Sequence, residues 1–332
     1  MSVEKILGDW RNKRFKPVYW LEGEEDYYID KLVQYAEHEI LTEAEAGFNL
    51  TVFYGKDADW AAVINACRRY PMFAERQVVL LKEAQQMRDI DKLEPYIEKP
   101  LTSTVLVVSY KEKKVDGRSR LAKLLKEKAE LFTSKKKYDN ELPGWTSELI
   151  RSKGYDITQK ALLLLVDHIG NDLNRIDNEI DKLLVNLSGR ERITEDDIEK
   201  YVGISKEYNV FELQDAFAKK DKAKAIRIIQ YFESNPKAGP IQLILPSLYN
   251  FFSKVYLVHS QGTRDEKTVA AAIGVNSFFV KDYLSAARNY DYPGVESTLL
   301  LLHAYNLRSV GVNSAPAEDA SLLKEMTVKI MG

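Results

Sequence analysis

Residues 17–26 read Pro-Val-Tyr-Trp-Leu-Glu-Gly-Glu-Glu-Asp. The apolar run 17–21 has the composition of a buried strand. After Gly23 the pattern changes to a helical one, with Tyr28, Leu32, Tyr35 and Ile40 recurring along residues 24–41. Strand, glycine, helix is the setting of a phosphate-binding loop, yet no Gly-Lys-Ser/Thr follows. Glu24, Glu25 and Asp26 stand there instead. A helix N-terminus attracts phosphate through its free amides, and three carboxylates would compete for those amides and repel a triphosphate. Read simply as favourable first-turn acids, they lead to the same expectation: no phosphates bind here.

Outward from this stretch the strand and helix patterns alternate. Residues 48–54 place Phe48, Leu50, Val52 and Tyr54 on one face of an expected strand, and Asp59 is the expected N-cap of a helix running to Arg69. Residues 77–81 (QVVLL) and 104–109 (TVLVVS) read as buried strands, and residues 118–130 as a basic helix. Short apolar runs separated by helices predict a parallel α/β sheet covered on both faces. In a nucleotide-hydrolysing domain the strand at 77–81 would end in an acid that holds Mg²⁺. Here it ends in Lys82-Glu83, and a lysine opposes a cation. Two such departures in register predict a domain that has lost its nucleotide chemistry.

Beyond residue 139 the strand patterns largely stop. Residues 142–153, 158–169, 172–187 and 194–202 read as helices, the third with Leu173, Ile176, Ile180, Leu183, Leu184 and Leu187 on one stripe. Thr194 and Asp197 resemble a capping box. After a linker near 203–208, helices are expected at 210–219, 222–234, 241–261, 277–289, 294–310 and 322–330. In the third of these, Leu243, Ile244, Leu248, Phe251, Phe252 and Val255 make a broad apolar helix surface, suited to a core or a subunit interface. The expected domains are 1–140, 141–205 and 206–332, consistent with a chain of 332 residues.

Composition narrows the function classes. Lys+Arg number 48 against 50 Asp+Glu, so any nucleic-acid contact must come from a local patch. Cys67 is the single cysteine, which excludes an intrachain disulfide and a cysteine-rich zinc site. His38, His168, His259 and His303 lie on different helices without ligand spacing, and no catalytic constellation stands out. No catalytic residue, metal or cofactor is therefore expected. No apolar stretch is long enough to span a membrane, and the first ten residues carry Glu4, Lys5 and Asp9, unlike a signal-peptide core. A cytoplasmic location without membrane contact is expected.

Three groups of residues remain as candidates. Pro71 ends a helix, and Met72 and Phe73 follow in a turn. They either tuck under the sheet or form an exposed wedge for a partner's pocket. Lys111, Lys113, Lys114, Arg118 and Arg120 open a basic run, and Lys135, Lys136 and Lys137 form another. Acids interleave the first run, so a solvated face competes with phosphate contact. Arg175, at the start of the helix 172–187, reads as a surface or interdomain salt-bridge partner.

Several strings taken together resemble the delta subunits of the bacterial DNA polymerase III clamp loader, over essentially the whole length. They are Tyr19-Trp20-Leu21-Glu22-Gly23-Glu24-Glu25, Pro71-Met72-Phe73-Ala74-Glu75-Arg76-Gln77-Val78-Val79, residues 170–183, and Asn209-Val210-Phe211-Glu212-Leu213. The resemblance implies an AAA+-like parallel α/β domain without a P-loop, a small helical lid and a helical collar. It implies no ATP hydrolysis by this chain, although such a subunit is counted within a DNA-directed DNA polymerase holoenzyme. It further implies binding to the sliding clamp through a hydrophobic pair, where Met72 and Phe73 stand, and an open clamp interface for loading onto primed DNA in replication. Met72 departs from the Leu-Phe pair frequent in the family. The implied partners are the clamp, the delta prime and the ATPase tau/gamma subunits, and primed DNA. Two other readings are a divergent nucleotide-sensing AAA+ ATPase, opposed by the missing Gly-Lys-Ser/Thr, and a stand-alone DNA-binding protein, opposed by the balanced charge.

Overall fold

The computed structural model describes residues 2–187, 189–205, 207–275, 279–312 and 318–332. The chain divides into two compact units, Met1–Lys137 and Tyr138–Gly332.

The first unit runs α1 (Val3–Arg11), β1 (Val18–Gly23), α2 (Asp26–His38), α3 (Glu43–Asn49), β2 (Leu50–Tyr54), α4 (Trp60–Cys67), β3 (Gln77–Lys82), α5 (Glu94–Glu98), β4 (Thr104–Lys111), α6 (Arg120–Lys128) and β5 (Glu130–Ser134). Its five strands lie in the order β2-β3-β4-β1-β5, and every pairing is parallel. Successive residues of β3 alternate between two cores. Val79 and Leu81 join Trp20, Val63, Leu106, Leu121 and Leu125 on one face, while Val78 and Leu80 join Tyr19, Leu21, Ile29, Leu32 and Val105 on the other. Both faces are covered, which is why β3 and β4 read as unbroken apolar runs.

Three local expectations in this unit are corrected. Phe48 belongs to α3 and is exposed, and the strand begins only at Leu50. Thr42 and Glu45 form a capping box that fixes the start of α3, and this local chemistry overrides the apparent alternation from Phe48. Asp59 precedes α4 as expected but makes no side-chain cap. The basic helix stops at Lys128, because Glu130–Ser134 alternates in burial and pairs with β1 as an edge strand.

Among its described residues the second unit is helical apart from a two-residue ladder of β6 (Asp156–Ile157) with β7 (Arg192–Ile193). Around this ladder lie α7 (Leu142–Ser152), α8 (Gln159–Ile169), α9 (Leu173–Asn186) and the short α10 (Glu195–Asp197), which continues into a π-type turn, Ile198–Val202. Leu173, Ile176, Ile180, Leu183 and Leu187 are buried along α9 as the stripe predicted. The box of Thr194 and Asp197 is present, the Asp197 carboxylate accepting from the Thr194 amide at 2.9 Å.

There follow α11 (Val210–Ala218), α12 (Lys222–Ser234), α13 (Ile241–Ser260), α14 (Glu266–Ile273), α15 (Val280–Asn289), α16 (Tyr292–Ser309) and α17 (Asp319–Met331). The expected start of a helix at Ser277 lies outside the described residues, and α14 is an addition to the expected set. Ile244, Leu248, Phe251, Phe252 and Val255 of α13 form core with α11, α12 and α16, so of the six residues proposed as a helix surface only Leu243 is exposed.

Candidate functional site

A parallel sheet has two distinct rims. The turns that enter strands lie at one, and the turns that leave them lie at the other. The turn carrying Met72 and Phe73 leads into β3 and lies at the entry rim. The β1–α2 turn and the basic segment after β4 lie at the exit rim.

At the entry rim Phe73 is 94 % exposed and Met72 53 % exposed. Neither side chain is tucked under the sheet. The turn around them is nevertheless tied down. The Met72 amide donates to Asn49 Oδ1 at 2.7 Å, and Asn49 Nδ2 donates to the Met72 carbonyl at 2.9 Å and to the Glu45 carbonyl at 3.0 Å. Asn49 itself is only 2 % exposed. On the upstream side, buried Gln77 donates from Nε2 to the carbonyls of Ala66 at 3.1 Å and Arg69 at 2.6 Å, and to Thr104 Oγ1 at 2.8 Å. These bonds hold the end of α4 against the first residue of β3. On the downstream side the Arg76 guanidinium covers the Phe15 ring at 4.4 Å, a cation–π contact. Phe73 sits at φ 54°, in the left-handed region that non-glycine residues seldom occupy. Two further aromatic side chains are exposed, Phe48 beside Asn49 in α3 and Tyr70 just before Pro71.

Sequence reasoning did not find Asn49 or Gln77. Their significance lies in partners distant in sequence, and residues 48–54 had the alternation of a strand, in which an asparagine carries no special signal. Cys67, which accompanies Gln77 beneath the turn, is buried, and burial pushes its thiol pKa up to about 12. It is therefore not a nucleophile at neutral pH.

At the exit rim the groups that would hold a nucleotide are otherwise engaged. Gly23 has φ 133°, and a Cβ there would stand 2.3 Å from the Ser134 carbonyl oxygen, so only glycine fits. The Glu25 carboxylate accepts from the Tyr27 amide at 3.4 Å, and the Glu25 amide donates to Ser134 Oγ at 3.1 Å. The N-cap amide and the Tyr27 amide thus have partners within the protein. Glu22 reaches the opposite way, accepting from the Val115 amide at 3.1 Å.

Beside this turn, Asp30, Glu37, Lys82, Glu83, Ser109 and Lys111 line a cavity of about 240 Å³. Lys82 Nζ lies 2.6 Å from Glu37 Oε2, and Lys111 Nζ lies 2.6 Å from Asp30 Oδ1 and 3.0 Å from Glu83 Oε1. Burial disfavours the Lys111 charge, but hydrogen bonds to Asp30 and Glu83 outweigh it and hold the ammonium pKa above the ordinary lysine value. Burial also raises the Asp26 carboxyl pKa, against the pull of Lys111. The lysines and carboxylates of this rim are therefore paired with one another.

The five basic candidates fare differently. Lys111 is 16 % exposed at its side chain and doubly paired, so it has little charge left to offer a phosphate. Lys113 leans over the Tyr110 ring at 5.7 Å, and Lys114 is exposed. Arg118 meets Asp116 at 3.4 Å, and Arg120 meets Glu94 at 3.2 Å, both well exposed. The last four form a solvated basic segment leading into α6.

Arg175 is exposed and makes no ion pair among the described residues, contrary to the expected salt bridge; its amide is capped by Asp172 at 2.9 Å. No group of three or more potential ligands could hold a metal among the described residues. No helix there is long and apolar enough to cross a membrane.

Comparison with known proteins bears on both units. A family model described as DNA polymerase III, delta subunit, matches residues 19–135, and one described as DNA polymerase III delta subunit, C-terminal domain, matches residues 207–309. The chain is 26 % identical over 283 residues to the DNA polymerase III subunit delta of Bacillus subtilis (strain 168), covering 82 % of this chain and 81 % of that protein. It is 22 % identical over 307 residues to a probable DNA polymerase III subunit delta of Aquifex aeolicus (strain VF5), covering 87 % and 85 %. A solved structure of a Bacillus subtilis DNA clamp loader delta protein superposes with a TM-score of 0.56 at 24 % identity, covering 99 % of each chain.

Proposed function

Because this chain belongs to the DNA polymerase III delta-subunit family, we propose that it binds the sliding clamp through Met72 and Phe73 and holds one clamp interface open for loading onto primed DNA. The observation that carries this reading is Phe73 itself. An aromatic ring left almost wholly in water, on a turn whose backbone is fixed from both sides, removes apolar surface from water and has little motion to lose when it enters a partner's pocket. Opening a closed ring requires that the subunit bind the open state more tightly than the closed one. A wedge can do so if its full contact forms only when the clamp interface has relaxed.

On this reading the chain performs no catalysis of its own; hydrolysis falls to the ATPase tau/gamma subunits, with delta prime as a further partner. The paired lysines of the exit rim favour this over a nucleotide-sensing role. We assign residues 141–205 to a lid and 206–332 to a collar that joins the other subunits, and the protein to the cytoplasm. Lys113, Lys114, Arg118 and Arg120 are the candidates for primed DNA, since Lys111 is occupied. The direct test is capture of the purified cognate clamp by the full chain. Absence of capture at micromolar concentrations, with delta prime and tau/gamma also present, would refute the proposal.

A further inference from the structure

Asn49 is the last residue of α3 and faces the main chain of Met72, 23 positions on in sequence. Its Oδ1 accepts from the Met72 amide and its Nδ2 donates to the Met72 carbonyl, at 2.7 and 2.9 Å. One carboxamide thereby meets both peptide groups flanking Met72, in the manner of a neighbouring strand. A second bond from Nδ2 to the Glu45 carbonyl, at 3.0 Å, anchors the amide to its own helix. Fixing both peptide groups fixes the backbone at Met72 and so the direction in which the chain enters Phe73. Phe73 then adopts φ 54°, a conformation that a free chain would leave, because there the Cβ crowds the following carbonyl oxygen.

We propose that Asn49 is a positioning residue of the docking turn: it keeps Phe73 in its presenting conformation before any partner arrives. This rests on the reading of Met72 and Phe73 as the clamp contact. Without the carboxamide, the turn becomes an ensemble in which only a fraction presents the ring correctly. Apparent affinity falls by that fraction. Because Met72 is half-exposed, its freed peptide groups can turn to water, so order in the turn suffers more than the fold. The neighbouring acid and base that could interfere, Glu45 and Arg76, are held by Thr42 and Glu75 respectively.

The test is a double-mutant cycle on the full chain, with affinity for the purified clamp measured by surface plasmon resonance. Asn49→Ala should weaken binding by about tenfold, as expected if the competent fraction falls to about one tenth. Phe73→Ala should weaken it as well, and the double variant should lose clearly less than the product of the two single losses, because Asn49 acts through the turn that presents Met72 and Phe73. Hydrogen exchange should show faster exchange at the Met72 amide in Asn49→Ala and unchanged protection at Val79 in β3. Asn49→Ser, which stays polar but is too short to bridge both Met72 peptide groups, should also be weakened, and it replaces Asn49→Ala in the cycle if that variant fails to fold. If Phe73→Ala binds normally, the clamp contact itself is wrong and the positioning role falls with it. If Phe73→Ala is weakened but neither Asn49 variant is, positioning is refuted while the docking reading stands. Multiplicative losses in the double variant would likewise overturn it.

Discussion

Replacing Phe73 by alanine separates recognition from packing, because the two assign opposite signatures to one substitution. The ring is 94 % exposed in the free chain, so nearly all its apolar surface is available to a partner. Burying a phenylalanine side chain is worth about 1.5–3 kcal/mol. An anchor of about 2–3 kcal/mol corresponds to about 30- to 150-fold in affinity. The same exposure means that truncation leaves the core packing intact, so stability should move by less than about 0.5 kcal/mol. Phe73→Gly sharpens the contrast. Glycine accepts φ 54° without the steric penalty, so this variant should lose the same affinity while being no less stable than Phe73→Ala. Clamp affinity by surface plasmon resonance and thermal unfolding by circular dichroism, on both variants, decide the matter. A core residue would cost about 3–5 kcal/mol on truncation. A melting temperature lowered on that scale, with normal clamp binding by the folded fraction, would refute the argument.

Three other outcomes follow from the same geometry. Calorimetry with Mg-ATP at millimolar concentration should give no saturable heat, since no Gly-Lys-Ser/Thr follows β1, Lys82 and Lys111 are paired with carboxylates, and the Tyr27 amide is engaged by Glu25; a micromolar dissociation constant would contradict this. In the second unit, burial works against ionisation of Glu212, but hydrogen bonds from Lys224 and Lys160 outweigh it and hold the carboxyl below its usual range. A depressed folded pKa contributes stability that is fully present above the unfolded value of about 4.3 and is lost as pH falls through the folded value. Glu212→Gln should therefore be less stable at pH 7 by about 1–2 kcal/mol and lose less stability than the parent on acidification below pH 5, and equal acid sensitivity would dismiss the network as a contributor. Replacing Lys113, Lys114 and Arg118 together by alanine should weaken binding of the assembled loader to primed DNA, with clamp capture unchanged. It should also flatten the salt dependence by up to about one unit of slope for each phosphate no longer neutralised; an unaltered slope would remove these residues from the DNA interface.

Much of this architecture was legible because the physics that sets it is local. The runs at β3 and β4 are apolar on both faces, and helices such as α9 and α12 carry both stripe and cap in their own residues. What failed was non-local or ambiguous. The period of residues 48–54 fits a strand until the box of Thr42 and Glu45 is seen to start a helix upstream. Strand β5 is a short edge flanked by lysines, and its pairing with β1 is set by tertiary contact. Helix α1 had a readable spacing in Val3, Ile6, Leu7 and Trp10, beyond its use in excluding a signal-peptide core. At the site, residue types left Met72 and Phe73 open between a tucked and an exposed placement, which only their exposure in the fold separates, and charge alone could not show that Lys111 is paired, since Asp30 and Glu83 come from two other parts of the chain. Asn49 was beyond reach for the same reason.

The two rims of the sheet carry a consequence for how such a subunit can change over time. The docking turn is held by Asn49, Gln77 and Arg76, none of which belongs to the exit rim, while the lysine pairs at that rim involve none of the turn. Substitutions that erase phosphate chemistry at one end thus leave the grip at the other end untouched, provided the strands between them stay packed. On the proposed reading, a domain of this kind can give up its fuel without letting go of its cargo, and the two traits are free to be inherited, lost or repaired separately.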